Sequence, residues 1–134
     1  MTDGRGVPLG AAITAGQSHE SVSFETLMDT VRIRGCRRPG AVAGDKGYSY
    51  PRIRRWLARR GIEAVIPTRS DQPRLPLDRA KYRRRNVVER CIGWLKECRR
   101  LATRYEKLAA HFLAIVRLAM IQRCLRLLDP SNRT

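Results

Sequence analysis

The stretch from Tyr82 to Lys96 reads Y-R-R-R-N-V-V-E-R-C-I-G-W-L-K. On a single helix, at about 100° per residue, Tyr82, Arg85, Glu89 and Lys96 fall within about 60° of one another. The opposite side collects the apolar residues expected to be buried, namely Val87, Val88, Cys91, Ile92 and Leu95. The pattern predicts a helix anchored by its apolar face, which presents one acid in a column of basic groups and a phenol.

Spacing alone leaves two interpretations of this column. Arg85 and Glu89 are four residues apart, so they can form an ordinary surface ion pair that contributes roughly 0.2–0.5 kcal/mol. Alternatively, Glu89 is a metal-binding carboxylate held beside a phosphate chain. A metal site of that kind needs a second acid from a separate rigid element, and Asp45 in A-G-D-K-G-Y directly follows a short strand that is predicted to be buried. The alternative for Asp45 is a simple turn residue.

Magnesium prefers oxygen ligands and binds through few carboxylates together with the substrate's phosphate. Two such ions about 3.5–4 Å apart can stabilise the attacking and leaving oxygens of an in-line displacement. The separation of 44 residues between Asp45 and Glu89 leaves room for one helix and one strand. The two acids can therefore come from different elements of one sheet-and-helix structure.

The composition points to a polyanionic partner. The 134 residues suit one domain, and 28 Lys and Arg against 12 Asp and Glu give a net charge of +16. A basic amphipathic helix on an anionic membrane is the alternative, but the charge is spread along the whole chain, which favours nucleic acid. No uncharged apolar run approaches the roughly 20 residues that a bilayer requires. The first residues lack a signal peptide's apolar core, so a cytoplasmic, nucleoid-associated protein without a membrane partner is expected.

The four cysteines show no C-x-x-C spacing, so they are expected to be reduced thiols rather than zinc ligands; they are Cys36, Cys91, Cys98 and Cys124.

Hydrophobic periodicity and turn residues predict alternating strands and helices. Ser21 or Ser23 is expected to cap the first helix, Pro51 to start the second, and Asp78 to cap a long one. The last helix is expected to pack in the core, with an interface to another domain as the alternative. The predicted elements are a strand at 8–14, a helix from 24 to near Gly35, a strand at 40–44, a helix ending at Gly61, a strand at 63–67, a loop at 68–77, a helix from 78 through the opening stretch, and a helix at 104–128. This order predicts an α/β fold.

The spacing Tyr-x2-Arg-x3-Glu-x6-Lys, with A-G-D-K-G-Y and A-V-I-P-T-R, resembles the DDE transposases of bacterial insertion sequences, of the insertion-sequence-5 type. The resemblance covers the carboxyl-terminal part of their catalytic domain. It implies a ribonuclease-H-like fold, incomplete because the first, central strand is absent, followed by carboxyl-terminal helices. Residues 1–128 would form this partial domain, with the α/β sheet in 1–77, two long helices in 78–128, and a tail at 129–134.

The resemblance also implies a function and its residues. The family cuts and joins double-stranded DNA at transposon ends with two divalent ions, magnesium or manganese, held by Asp, Asp and Glu. Asp45 matches the second acid and Glu89 the third, so both are implied as catalytic metal ligands. Tyr82, Arg85 and Lys96 match residues that hold the DNA backbone.

Departures from the family pattern shape further expectations. The first acid is unmatched, because Asp3 lies in a predicted hairpin turn, D-G-R-G. Glu20 stands where relatives often carry Asp, and His19 is expected to be a loop or cap residue. We therefore expect a truncated or split product that needs the upstream half of a transposase and is poorly stable or inactive alone. A homo-oligomer is also expected. Alternatives are a non-catalytic DNA-binding protein or transposition inhibitor, and a small RNA-binding protein, which the 6% aromatic content disfavours.

Overall fold

The computed structural model describes residues 1–15, 17–33, 35, 38–103 and 106–129. The chain divides into two compact units. We call residues 14–85 the α/β unit, and residues 1–13 together with those from Asn86 onward the helical unit.

The α/β unit is built on a strand-helix-strand arrangement. Its strands, β1 and β2, pair in parallel, with Ala41 opposite Glu63 and Ala43 opposite Val65. Parallel neighbours need a crossover connection, and α2 supplies it. The elements in order are a 3-10 helix Glu20–Ser23, α1 Phe24–Thr30, β1 Ala41–Ala43, a 3-10 helix Lys46–Tyr48, α2 Pro51–Arg59, β2 Glu63–Val65 and α3 Arg79–Arg83. The predicted α/β order is confirmed in this unit.

Helix α2 forms as its local sequence predicts. Pro51 occupies the first turn, where its missing N–H costs nothing. Gly61 adopts φ +63 and ends the helix with a Schellman pair of hydrogen bonds, Gly61 N to the Ala58 carbonyl and Ile62 N to the Leu57 carbonyl. The buried residues of α2, Ile53, Trp56 and Leu57, belong to the core of the unit, which also contains Phe24, Ile62 and Ile66. Ile53 and Leu57 are completely buried.

In its described residues, the helical unit contains an amino-terminal turn and three helices. These are α4 Asn86–Lys96, α5 Arg99–Thr103 and α6 Ala109–Leu128, with Cys91 and Ala119 buried. The guanidinium groups of Arg123 and Arg126 lie 4.5 and 5.3 Å from the ring centroid of Trp94, which fastens α6 to α4 by cation–π contacts. No helix in the described part of the chain is long and apolar enough to cross a membrane.

Several predicted boundaries differ from the structure. The hairpin turn at Asp3 is present, but only a single antiparallel bridge, Thr2 to Pro8, replaces the predicted strand at 8–14. Gly10, Ala11 and Ala12 have low strand propensity, which accounts for the irregular backbone there. Helix α1 ends at Thr30, five residues before Gly35. Strand β1 was expected to be buried, yet Ala41 and Ala43 are exposed.

The caps and the last helix were also predicted only in part. Ser23 makes no capping hydrogen bond; His19 caps the 3-10 helix by accepting from Ser21 N. Helix α6 begins at Ala109. Its predicted start at residue 104 lies outside the described residues, and so do residues 130–134 of the predicted tail. Its exposed side carries an apolar stripe of Leu118, Ile121, Leu125 and Leu128. The alternative that α6 contacts another domain therefore stays a prediction.

The cysteines that the structure describes, Cys91, Cys98 and Cys124, are free thiols. Cys36 lies outside the described residues.

Candidate active site

Asp45 lies on a tight turn directly after β1. The Gly44 N–H donates to the Val65 carbonyl at 3.3 Å, so the pairing with β2 continues to the residue before the acid. Asp45 then caps the 3-10 helix Lys46–Tyr48, its Oδ1 accepting from Gly47 N at 2.8 Å. Oδ2 accepts no hydrogen bond from any described residue. The half-buried carboxylate is thus fixed through one oxygen while the other remains available to a cation.

The Asp45 turn is anchored in the core by Tyr48. The Tyr48 ring packs against Phe24 with ring centroids 5.7 Å apart, and Phe24 in turn makes an edge contact with Trp56. Burial, and then the charges of Glu20 and Asp45, raise the pKa of the Tyr48 hydroxyl above its ordinary value near 10. The core therefore determines where the carboxylate lies, because the residue three positions after Asp45 is itself part of the core.

The loop after β2 also contacts the Asp45 turn. Arg69 Nε donates to the Lys46 carbonyl at 3.3 Å, and Gln72 bonds Ser49 at two positions. Arg69 falls in the A-V-I-P-T-R stretch that the sequence resemblance singled out, but no role was predicted for its side chain. For Gln72 the sequence offers no signal, because the bond spans 23 residues.

Tyr82 and Arg85 come together at the end of α3. The Arg85 guanidinium lies 5.7 Å from the centroid of the Tyr82 ring. Helix α3 is held by Asp78, whose Oδ1 caps it by accepting from Lys81 N at 2.9 Å, as predicted. Lys81 also reaches Glu63 on β2 at 2.6 Å. These contacts fix α3 against the strand that follows the crossover helix.

The predicted single helix carrying all four motif residues is wrong. Helix α3 ends at Arg83 and α4 begins at Asn86, with Arg84 and Arg85 in a turn between them. In this turn the backbone hydrogen bonds join residues three apart, as in a 3-10 helix: Arg84 N donates to the Lys81 carbonyl and Arg85 N to the Tyr82 carbonyl. Asn favours a helix start over a helix interior, which agrees with a second helix beginning at Asn86.

Glu89 and Lys96 lie on α4, seven residues apart and within about 20° on its surface. Both are exposed, and Cys91, on the opposite side of the helix, is 4% exposed. The predicted buried face is partly wrong, since Ile92 is 47% exposed. Asp45 belongs to the α/β unit and Glu89 to the helical unit. Their sharing of a metal ion stays a prediction.

The carboxylates of Asp45 and Glu89 are of the donor type that divalent cations bind. Among the described residues, no three His, Cys, Asp or Glu side chains are grouped as a metal site. Asp45 Oδ2 and the exposed carboxylate of Glu89 are hard oxygen donors of the type that magnesium and manganese prefer. Each carboxylate is a suitable single ligand for such an ion, which also binds substrate phosphate and keeps several waters.

The strong positive charge of the chain favours a polyanionic partner, and a carboxylate is fixed at the end of a parallel strand. Residues 1–123 match the family model described as the transposase DDE domain. The chain is 37% identical, over its whole length, to a putative transposase for insertion sequence element IS402 of Burkholderia cepacia, and it covers 64% of that protein. It is 30% identical to a putative transposase for element IS6501 of Brucella ovis, covering 94% of the chain and 95% of the relative. No solved structure matches it at a significant level.

The chain therefore belongs to the DDE transposase family of insertion sequences. Family membership implies a ribonuclease-H-like fold, with which the parallel β1–β2 pair and the surrounding helices are compatible.

Proposed function

We propose that this chain is a catalytic segment of an insertion-sequence transposase, which cleaves DNA strands at transposon ends and joins them to target DNA. The chain spans 64% of the length of the IS402 relative. The family pattern has three acids and the chain matches two, so a further protein segment would supply the third. The observation that carries the proposal is the Asp45 turn, where a core-anchored strand end holds a carboxylate with one oxygen left for a cation.

In this proposal Asp45 and Glu89 hold magnesium or manganese. The divalent ions, when bound, activate the attacking oxygen and stabilise the leaving one. Asp45 serves as a ligand through Oδ2, because Oδ1 is occupied by the Gly47 N–H. Glu89 is supported by the fixed position of α4, whose opposite side is buried at Cys91. Tyr82, Arg85 and Lys96 bind the DNA backbone in the same proposal.

The charge supports DNA as the substrate. The net charge of +16 favours a polyanion, and the phenol of Tyr82 beside the guanidinium of Arg85 offers hydrogen-bond donors to phosphate oxygens. Arg and Tyr contacts of this kind position a duplex without reading its sequence.

The test is cleavage of double-stranded DNA bearing the element's ends, by the complete transposase that contains this chain. Asp45→Asn and Glu89→Gln should each abolish cleavage in magnesium while leaving DNA binding intact. Asp71→Asn and Glu97→Gln are the matched controls, since both change an exposed acid in the same way. Cleavage at the wild-type rate by either acid variant of the site would refute the assignment.

A further inference from the structure

We propose that the turn from Arg69 to Gln72 is a clamp that positions the Asp45 carboxylate, with Arg69 and Gln72 as positioning residues. This inference rests on the proposed role of Asp45 as a metal ligand. The clamp is a β-turn closed by a hydrogen bond from Gln72 N to the Arg69 carbonyl at 3.2 Å. Its two ends bond the two ends of the 3-10 helix that Asp45 caps.

Arg69 secures the first end. Its Nε donates to the Lys46 carbonyl at 3.3 Å, one residue after Asp45. Tyr50 holds this guanidinium group. Arg69 Nη2 donates to the Tyr50 hydroxyl at 3.1 Å, and the central guanidinium carbon lies 4.6 Å from the centroid of the Tyr50 ring. His19 completes the arrangement, with Nε2 at 3.2 Å from the Tyr50 hydroxyl and 3.4 Å from Arg69 Nη2.

Gln72 secures the second end. Its Nε2 donates to the Ser49 carbonyl at 2.8 Å, and its Oε1 accepts from Ser49 Oγ at 2.7 Å. Ser49 is completely buried, and its N–H closes the 3-10 helix on the Lys46 carbonyl at 3.1 Å. A paired, two-way bond to a buried residue fixes both the distance and the orientation of the turn. Arg54 adds a bond to the Ile66 carbonyl at 2.7 Å, which holds the start of the loop.

These contacts can matter for chemistry because metal ligands must be placed within fractions of an ångström. Groups that orient a ligand typically change metal affinity or activity 10- to 100-fold when removed. Gln72 is uncharged, so its loss leaves the electrostatic attraction for DNA unchanged. Arg69 engages several partners at once through a planar fork, and a lysine at that position keeps the charge without that geometry.

The experiment measures the cleavage rate at saturating DNA, across manganese concentrations, for Gln72→Ala and Arg69→Lys in the complete transposase. Both rates should fall roughly 10- to 100-fold, and higher manganese should restore part of the loss. Asp71→Asn, within the same turn but exposed, should behave as the wild type. Wild-type rates and manganese dependence in both variants would overturn the inference.

A second measurement separates positioning from direct DNA contact. Arg69→Ala should leave the salt dependence of DNA binding unchanged. A log–log salt slope reduced by about 0.9 would instead make Arg69 a phosphate contact and overturn its positioning role.

A third measurement does not depend on catalysis. The Gly47 amide, bonded to Asp45 Oδ1, should exchange its hydrogen faster in Gln72→Ala than in the wild type or Asp71→Asn. Unchanged exchange would overturn the clamp even if Asp45 is a metal ligand. Conversely, cleavage by Asp45→Asn would refute the proposed function, while accelerated exchange would still establish the clamp.

Discussion

Asp45 and Gly47 are bound to each other so closely that a side chain at position 47 would touch the carboxylate. The Gly47 N–H donates to Asp45 Oδ1 at 2.8 Å, and a Cβ on Gly47 would lie 2.9 Å from that same oxygen. Real Cβ atoms essentially never approach an oxygen so closely. The carboxylate, as the flexible partner, would therefore have to move.

Gly47→Ala should accordingly lower metal-dependent cleavage roughly 10- to 100-fold while the protein remains folded. The measurement is the cleavage rate together with the thermal unfolding midpoint. Gly40→Ala is the matched control, because a Cβ there meets nothing within 4 Å. A Gly47→Ala protein with wild-type cleavage would show that the Oδ1 cap does not determine where the reactive carboxylate lies.

DNA binding should depend on Arg85 and Lys96 through their charge. If each neutralises one phosphate, Arg85→Ala or Lys96→Ala should reduce the slope of log K against log salt by about 0.9, for any DNA sequence. The measurement is a titration of labelled duplex between low and moderate salt. Lys107→Ala removes a charge outside the motif that is exposed, as Lys96 is, and serves as the comparison. Equal effects of all three substitutions on the salt slope would show that Arg85 and Lys96 contribute only general electrostatic attraction for DNA.

The core of the α/β unit should depend strongly on Leu57. Its side chain is completely buried, so Leu57→Ala should lower the free energy of unfolding by about 2–5 kcal/mol through lost transfer energy and the resulting cavity. Leu128→Ala, at a side chain 78% exposed, should change it by less than about 0.5 kcal/mol. Urea unfolding of both variants measures the difference, and similar losses would contradict the described core.

Stability should also fall at alkaline pH because of Tyr48. Burial raises the pKa of its hydroxyl, so the folded protein holds this proton more tightly than the unfolded chain does. The corresponding stabilisation is fully present below the ordinary tyrosine value near 10 and is lost as the pH rises through the higher folded pKa. The unfolding free energy of wild type minus that of Tyr48→Phe should therefore decline over this range.

Urea unfolding at several pH values from 8 to 11 would measure this decline. Tyr82→Phe, outside the core, provides the control for removing a hydroxyl. A difference between wild type and Tyr48→Phe that stays constant with pH would contradict a raised pKa.

The parts of the fold that sequence reasoning predicted well are those formed by local signals. Pro51, the spacing of Ile53 and Leu57, and Gly61 describe α2 almost completely, because helix start, buried face and end are set within a few residues. The Asp78 cap and the strand before Asp45 follow from equally short patterns.

The errors arose where a short pattern was extended over too many residues. The Tyr82–Lys96 column was predicted from ideal helical periodicity, which takes no account of the tightened turn at Arg84 and Arg85. Strand β1 was expected to be buried on composition alone, yet its exposure depends on which elements cover it. The role of Gln72 required knowing that residues 23 positions apart are in contact.

By itself, the sequence determined the class of fold and the family pattern, because residue type and spacing along the chain carry that information; Asp45 and Glu89 as the two acids stay a prediction. Only the tertiary structure decided that Tyr48 packs against Phe24 in the core, and that Arg69 and Gln72, in the loop after β2, bond the two ends of the 3-10 helix that Asp45 caps. The physical reason is that these bonds join segments distant in sequence, whose approach follows from burying a shared apolar core rather than from any local preference.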